Sequence, residues 1–275
     1  MPLILGTNSI KDTSYNVANS LRFNDDSSDF LNRTPSSAGN RRTFTISAWV
    51  KRGQVTTSSF LFGAWTADND AGHFAFGFES AERLTVDTYS TNLLTTTRVF
   101  RDPGAWMHVV CAVDTTSGTA DQRVRLYVNG TEETVFSTRN NPSQNADLQA
   151  NNSVIQVVGA NYYNSQANVT HDGYMAEFVF IDGQQLAPTS FGETKNGVWI
   201  PKEPNVTYGT NGYRLQFKET GTGTASSSTV GADTSGNNNH FTSSGIAASD
   251  IVPDCPENNF CVLGGNQTRR YGQSY

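Results

Sequence analysis

Two stretches of the chain place aromatic rings beside amide and carboxylate groups, a combination that suits sugar recognition. Aromatic rings stack on the apolar faces of sugars, while Asn and Asp side chains bind the hydroxyl groups. A second interpretation stays open, because tyrosines with an apolar body and a polar tip also cap a fold or contact another subunit. The predicted binding residues are Trp65, Asp68, Asp70, Asn161, Tyr162, Tyr163 and Asn164.

The first of these stretches also carries oxygen ligands for a metal ion. Asp68, Asn69 and Asp70 are followed by Gly72, and Ca²⁺ prefers six to eight oxygen ligands. The same residue types form ordinary turns through side-chain hydrogen bonds to the backbone. A Ca²⁺ site at Asp68 and Asp70 is therefore an open alternative to a simple turn. No other cofactor is expected.

The acidic residues are poorly spaced for glycoside hydrolysis. A retaining glycosidase needs two carboxyl groups about 5–5.5 Å apart, which on one strand requires acids two or four positions apart. Residues 174–181 contain Glu177 as their one acid, and the adjacent Glu132 and Glu133 point to opposite faces. The chain also lacks the Gly-x-Ser-x-Gly motif of a nucleophile elbow. We expect a protein that is not an enzyme, with polysaccharide cleavage as the least favoured alternative.

Charge and hydropathy argue against two classes of partner. The formal net charge is −6, whereas nucleic-acid binding relies on clustered Lys and Arg. The N-terminal residues 1–8 contain too few apolar side chains for a signal peptide or a membrane span. We therefore expect neither nucleic-acid binding nor membrane insertion.

The elements that position these residues are predicted to be β-strands. Residues 43–51 and 124–128 alternate apolar and polar side chains, which is the period of a strand with one buried face. Asn129-Gly130 supplies two residues that tolerate positive φ, so a tight hairpin is expected there. Many short strands joined by polar turns predict an all-β fold, a two-sheet antiparallel jelly-roll sandwich.

The predicted domain organisation has three parts. Residues 1–19 form an N-terminal arm, residues 20–188 the sandwich, and residues 189–275 an irregular C-terminal extension. The extension has low hydrophobicity and no periodicity, so we expect it to pack on the sandwich or on a neighbouring subunit. Within the sandwich, residues 161–173 are predicted to be a long loop. Cys255 and Cys261 are close enough to pair and are expected to stay reduced.

The sequence resembles two groups of known domains. Three stretches resemble the core strands of laminin-G-like, concanavalin-A-like jelly-roll domains: residues 106–113, 123–130 and 173–186. Three stretches also resemble, in the same order, a domain type of marine bacteriophage virion proteins: residues 20–53, 173–193 and 233–246. The second resemblance implies a tail-fibre, tail-associated or head-decorating protein that contacts the host surface, and it supplies no catalytic mechanism.

The resemblance to virion proteins implies a non-enzymatic virion structural protein that assembles with itself, with a trimer favoured. Its further partners would be other virion proteins and host surface polysaccharide. It would be assembled in the host cytoplasm and reside in the virion. The alternative is a carbohydrate-binding adhesin module that recognises host surface glycans.

Overall fold

A computed structural model describes residues 15–260 of the 275-residue chain, which form short strands joined by turns. The strands are β1 Ser20–Phe23, β2 Phe30–Arg33, β3 Thr43–Arg52, β4 Ser59–Trp65, β5 His73–Phe78, β6 Arg83–Asp87, β7 Asn92–Val99, β8 Met107–Asp114, β9 Val124–Val128, β10 Thr131–Glu132, β11 Phe136–Arg139, β12 Ile155–Val158, β13 Ala160–Tyr163, β14 Gln166–Thr170, β15 Gly173–Asp182, β16 Gly192–Lys195, β17 Val198–Pro201, β18 Tyr213–Leu215, β19 Thr242–Ser244 and β20 Ile251–Val252. The 3-10 helices are Asp25–Ser27, Asp70–Gly72, Ala120–Gln122, Pro188–Ser190 and Ala248–Asp250.

Two large antiparallel sheets pack face to face as a sandwich. Sheet I has eight strands in the order β10-β9-β8-β3-β15-β1-β20, with β18 pairing with a separate part of β15. Sheet II has eight strands in the order β11-β7-β6-β5-β4-β12-β2-β19. Two hairpins, β13-β14 and β16-β17, stand apart from both sheets. The all-β sandwich predicted from the sequence is confirmed.

The main core lies between the sheets and is built from every second residue of the long strands. These residues include Phe44, Ile46, Ala48 and Val50 of β3 and Phe74, Phe76 and Phe78 of β5. The Phe44 ring stacks on Phe180 of sheet I at 5.7 Å and meets Phe74 of sheet II edge-on at 5.6 Å. Each fully buried Phe side chain contributes about 1.5–3 kcal/mol. The alternation that predicted strands therefore also determines which side chains form the core.

The hairpin predicted at Asn129-Gly130 is confirmed. The two residues have φ values of 49° and 79° and join β9 to β10, as a two-residue turn with positive φ at both positions requires. A side chain on Gly130 would meet the Trp199 ring at 2.5 Å. The residue must therefore be glycine for its backbone conformation and for its contact with the β16-β17 hairpin.

A bulge in β15 holds a buried ion pair. The register of β15 against β3 shifts between Ala176 and Val179, and Glu177 between them has a φ of 49°. The Glu177 side chain is buried and accepts a hydrogen bond of 2.8 Å from Nε of Arg214, which also pairs with Glu203. Unpairing a buried carboxylate is costly, so this pair fixes the C-terminal chain on sheet I.

The chain beyond Pro188 contributes strands to both sheets. The strands β18 and β20 pair within sheet I and β19 pairs within sheet II. Phe191 packs on Val110 and Ile181, on the face of sheet I that points away from the main core. The domain boundaries drawn from the sequence stay predictions, as does a contact between this extension and a neighbouring subunit.

The stretch predicted to be one long loop, residues 161–173, contains most of a hairpin. The strands β13 and β14 pair there, and the turn residues Asn164 and Ser165 have φ values of 52° and 60°. The prediction was wrong because polar side chains occupy both faces of these strands and because Asn-Ser is a weaker turn signal than Asn-Gly.

Two sequence predictions lie wholly or partly outside the described residues. Residues 1–14 of the predicted arm and Cys261 of the predicted cysteine pair belong there. Within residues 15–260, Cys111 and Cys255 are buried free thiols. The same part of the chain has no helix with the length and hydrophobicity of a membrane span.

We predict that Gly130→Ala lowers the free energy of unfolding by about 2 kcal/mol or more, because an alanine is strained at positive φ and clashes with Trp199. Urea unfolding followed by fluorescence measures the change. The matched control is Gly118→Ala, whose new side chain meets nothing within 4 Å and should shift stability by no more than about 0.5 kcal/mol. Equal effects of the two substitutions would contradict this description of the turn.

Candidate functional site

The outer face of sheet II presents polar side chains at the ends of β5 and β6. On β5, Phe74 points into the core, so the preceding His73 points outward. On β6, Val86 points into the core and Asp87 outward. Ala75 pairs with Asp87 across the two strands, which brings the outward side chains of His73 and Asp87 to one region of the sheet.

The β13-β14 hairpin packs against this outer face across β4. It approaches closely because Gly63 has no side chain: a Cβ there would lie 3.0 Å from the backbone N of Tyr162 and 3.1 Å from O of Ala160. The chain reaches this position through Gly159, whose φ is 89°. A backbone-to-backbone contact therefore sets the distance between the hairpin and the sheet.

A hydrogen bond joins the β13-β14 hairpin to the outer face of sheet II. Nε2 of His73 lies 2.7 Å from Oδ1 of Asn161, and both side chains are buried. Burial lowers the pKa of His73, because a desolvated imidazolium is disfavoured. The ring is therefore neutral at physiological pH. The Asn161 Oδ1 also accepts from the backbone N of Tyr162 at 2.8 Å.

A groove of about 400 Å³ lies between the hairpin and the turn that joins β6 to β7. Ligand sites commonly have volumes of about 300–1,000 Å³. Tyr89 stands at its edge with 45% of its surface exposed and contacts the His73 ring edge-on at 6.2 Å. The lining residues are His73, Asp87, Thr88, Tyr89, Asn92, Asn161 and Tyr163.

Within the groove, the side chain of Asp87 has a pKa that is unusual for a carboxyl group. Burial raises its pKa to about 7, and the nearby Glu79 adds to the rise, while a hydrogen bond from Thr85 opposes it. A carboxyl group that is largely protonated at slightly acidic pH acts as a hydrogen-bond donor as well as an acceptor. Asp87 is the single carboxylate among the residues that line the groove.

Asp70 holds the turn that carries Tyr89. Its carboxylate accepts hydrogen bonds from the Ser90 backbone N at 2.6 Å, the Thr91 hydroxyl at 2.8 Å and the Thr88 hydroxyl at 3.0 Å. The bond from Ser90 and those from the hydroxyls lower the pKa of Asp70 to about 2, because hydrogen bonds to the charged form favour ionisation. Asp70 is thus a positioning residue for one wall of the groove.

Asp68 has the corresponding role for the hairpin. Its Oδ1 accepts from Nε1 of Trp65 at 2.8 Å and from the backbone N of Asn164 at 3.0 Å. The Trp65 and Tyr162 rings lie 5.7 Å apart in a tilted contact. This cluster supports the tip of the hairpin next to the groove, so the two predicted stretches do meet in the fold.

The predicted site residues therefore divide into two groups. Asn161 and Tyr163 line the groove, whereas the other predicted residues support its walls.

Both predicted calcium ligands, Asp68 and Asp70, accept hydrogen bonds from neutral donors. Residues 15–260 hold no group of three or more His, Cys, Asp or Glu suited to a metal ion. The Ca²⁺ site at Asp68 and Asp70 stays a prediction without support from these contacts.

Five residues that line the groove were not predicted from the sequence: His73, Asp87, Thr88, Tyr89 and Asn92. They belong to separate strands and a turn, and their proximity depends on the register between β5, β6 and β7. The one available signal was the alternation of β5 and β6, which places His73 and Asp87 on the outer face.

Two serine–histidine pairs resemble parts of a hydrolase site but are closed to substrate. Oγ of Ser59 lies 2.6 Å from Nδ1 of His171, and Oγ of Ser47 lies 2.8 Å from Nε2 of His108. All four side chains are at most 2% exposed. Burial lowers the pKa of both histidines to about 3. These pairs satisfy buried polar groups.

A second groove, of about 510 Å³, lies on the opposite side of the sandwich. Trp49, Trp106 and Trp199 line it beside the turn at Asn129. The buried His108 ring stacks between Trp49 at 5.0 Å and Trp199 at 6.0 Å. This groove has no carboxylate among its lining residues.

Solved structures with similar folds include proteins of several organisms. A candidate carbohydrate binding protein from Bacteroides ovatus superposes with a TM-score of 0.55 at 16% identity, over 84% of this chain and 58% of that chain. The CBM40 of the IT-sialidase from Ruminococcus gnavus, bound to α2,3 sialyllactose, gives a TM-score of 0.40 at 12% identity, over 58% and 89%. A heptameric SAP-like pentraxin from Limulus polyphemus gives 0.44 at 15% identity, over 63% and 80%.

Comparison of the sequence with known families shows where the chain belongs. No curated protein matches this sequence. The family model for the concanavalin A-like lectin/glucanases superfamily matches residues 25–187, which include β2 to β15 and every residue of the groove between the hairpin and sheet II. This match covers more than half of the 275 residues, so the chain belongs to the concanavalin A-like lectin/glucanases superfamily.

Proposed function

We propose that this chain is a non-catalytic carbohydrate-binding module that holds a glycan in the groove between the β13-β14 hairpin and sheet II. The observation that carries the proposal is the lining of that groove, in which two tyrosine rings stand beside amide, hydroxyl, imidazole and carboxyl groups. The exposed ring of Tyr89 is the stacking surface for a sugar. The Bacteroides ovatus candidate carbohydrate binding protein shares the fold, which is compatible with this function.

The polar groups of the groove are suited to neutral hydroxyls. Asn161 uses its Oδ1 for His73 and for the Tyr162 backbone, so its Nδ2 is the donor that a sugar oxygen would meet. His73 is neutral, because burial lowers its pKa. Asp87 alternates between donor and acceptor around its pKa of about 7. Such a site selects hydroxyl-rich ligands over cations or phosphates.

The same lining supports the absence of catalysis. Glycoside hydrolysis commonly uses two carboxyl groups on opposite sides of the scissile bond. The lining of this groove supplies Asp87 alone, and the acid Glu177 is buried in an ion pair on the other sheet. We therefore propose binding without turnover.

The virion assignment stays a prediction from sequence resemblance. Self-assembly, a trimer, virion partners and assembly in the host cytoplasm belong to that prediction. The family match concerns the lectin and glucanase superfamily, which favours the glycan-binding alternative over a purely structural role. The two are compatible, because a glycan-binding module on a virion would contact host surface polysaccharide.

We predict that Tyr89→Ala abolishes glycan binding or weakens it about five- to tenfold or more, because one stacked sugar ring is worth about 1–1.5 kcal/mol. A glycan array probed with the full chain identifies a ligand, and calorimetry then measures its Kd for each variant. Tyr89→Phe keeps the ring and should retain most of the affinity.

The matched control for this experiment is Val198→Ala. Val198 is 45% exposed, as is Tyr89, and lies on the β16-β17 hairpin, where it lines the tryptophan-lined groove on the opposite side of the sandwich. Unchanged affinity in Tyr89→Ala, or equal losses in the two alanine variants, would contradict the proposed site. The absence of any array signal from the folded chain would contradict the proposed function.

We predict that Asp87→Asn stabilises the protein at alkaline pH but not at acidic pH. The folded-state pKa of Asp87 is raised from 3.8 to about 7, so the wild-type chain loses stability as pH rises from about 4 to about 7. The variant has no charge to bury and should gain about 1–2 kcal/mol at pH 8, less than the full shift implies because the side chain borders an open groove.

Urea unfolding of both proteins between pH 4 and pH 8 measures this difference. The variant's advantage should be nearly lost near pH 4, where the wild-type carboxyl is protonated in the folded state and close to half protonated in the unfolded chain. An advantage of Asp87→Asn that grows towards acidic pH would refute the raised pKa.

A further inference from the structure

The side chain of Lys51, near the end of β3, is completely buried. Its side chain is 0% exposed, and its Nζ lies 2.8 Å from Oδ2 of Asp254, 2.7 Å from Oδ1 of Asn259 and 2.5 Å from O of Phe260. Lysines are almost never fully buried unless they are paired, because desolvating the ammonium is costly. The sandwich therefore encloses a paired amine against the C-terminal end of the described chain.

Asp254 is held in position beside this amine. Its side chain is 6% exposed. While Oδ2 contacts Lys51, Oδ1 accepts from Nε1 of Trp106 at 3.0 Å and from the backbone N of Phe260 at 3.3 Å. The Tyr174 ring covers the amine, with Nζ 5.8 Å from its centroid. A carboxylate in direct contact with the amine is placed to accept a proton from it.

The carboxamide of Asn259 completes the cluster. Its Oδ1 faces the amine, and its Nδ2 donates to O of Gly104 at 2.9 Å. Because Nζ lies 2.7 Å from this carbonyl oxygen, the carbonyl carbon bonded to it is also close to the amine, and such proximity favours an intramolecular reaction. The amine, the carboxylate and an electrophilic amide carbon thus occupy one site.

We propose that Lys51 and Asn259 form an intramolecular isopeptide bond, with Asp254 as the acid–base group. Asp254 accepts a proton from the ammonium, and the freed Nζ attacks the Cγ of Asn259. Asp254 then returns the proton to Nδ2, the leaving group. The Nζ–Cγ bond forms and the Cγ–Nδ2 bond breaks. The two protons that Nζ loses leave with the amide nitrogen as ammonium, so no oxidant or co-reactant is needed.

This bond would connect the end of β3 in the centre of sheet I to the chain that follows β20. It would close a covalent loop around most of the sandwich, and cross-links that close long loops restrict the unfolded chain most strongly. The proposal is independent of glycan binding, because the cluster belongs to sheet I and the groove to sheet II.

The mass of the intact, purified full chain tests the proposal. The expected result is a protein lighter than its sequence by one ammonia. A tryptic digest should then contain a branched peptide in which Lys51 is uncleaved and joined to Asn259. A chain of full mass whose digest contains Lys51 and Asn259 unmodified would overturn the proposal. So would an ammonia loss that maps to an Asn-Gly step without the branched peptide.

Matched variants identify the roles of the residues. Asp254→Asn and Asn259→Ala should both return the chain to its full mass, and each should unfold at a lower temperature than the wild type. Asn258→Ala, which changes the adjacent asparagine, should keep the branched peptide. The branched peptide persisting in Asn259→Ala would show that another residue is joined to Lys51 and would overturn the assignment. If Asp254→Asn fails to fold, the mass and the digest of the wild-type chain still test whether the isopeptide bond forms.

Discussion

The close approach of the β13-β14 hairpin to β4 at Gly63 is the contact on which the candidate site depends. A side chain at this position would press on the backbone of Tyr162 at 3.0 Å, so glycine allows the hairpin to lie directly on the sheet. That distance lets Asn161 reach His73 with a 2.7 Å hydrogen bond. The outer face of sheet II thereby becomes the floor of a groove instead of an open surface.

Two aspartates give the groove its shape without entering it. Asp68 holds the tip of the hairpin through Asn164, and Asp70 holds the opposite turn through Ser90. Both carboxylates accept hydrogen bonds from backbone N–H groups, which are among the stronger hydrogen bonds because the acceptor is charged. The rings of Tyr89 and Tyr163 are therefore presented by walls that are fixed independently, which lowers the entropy lost when a ligand binds.

Much of the fold was predictable from local pattern, whereas the site was predictable only in part. The alternation around Phe44 and the Asn129-Gly130 turn predicted strands and a hairpin, because both signals depend on neighbouring residues alone. Asn161 and Tyr163 were predicted because an amide side chain and an aromatic ring that suit a sugar lie close together in the sequence. His73 and Asp87 were missed because strand register brings them together, and a single sequence does not reveal register. The contacts of Lys51 with Asp254 and Asn259 span about two hundred residues, so no spacing rule reaches them.

The most direct test of the glycan-binding account is a crystal structure of the full chain with a glycan selected on the array. The account predicts a sugar ring stacked on Tyr89, with its hydroxyls bound by Asn161 and Asp87. A glycan bound in the tryptophan-lined groove around Trp106 and Trp199, with the groove on sheet II empty, would contradict it.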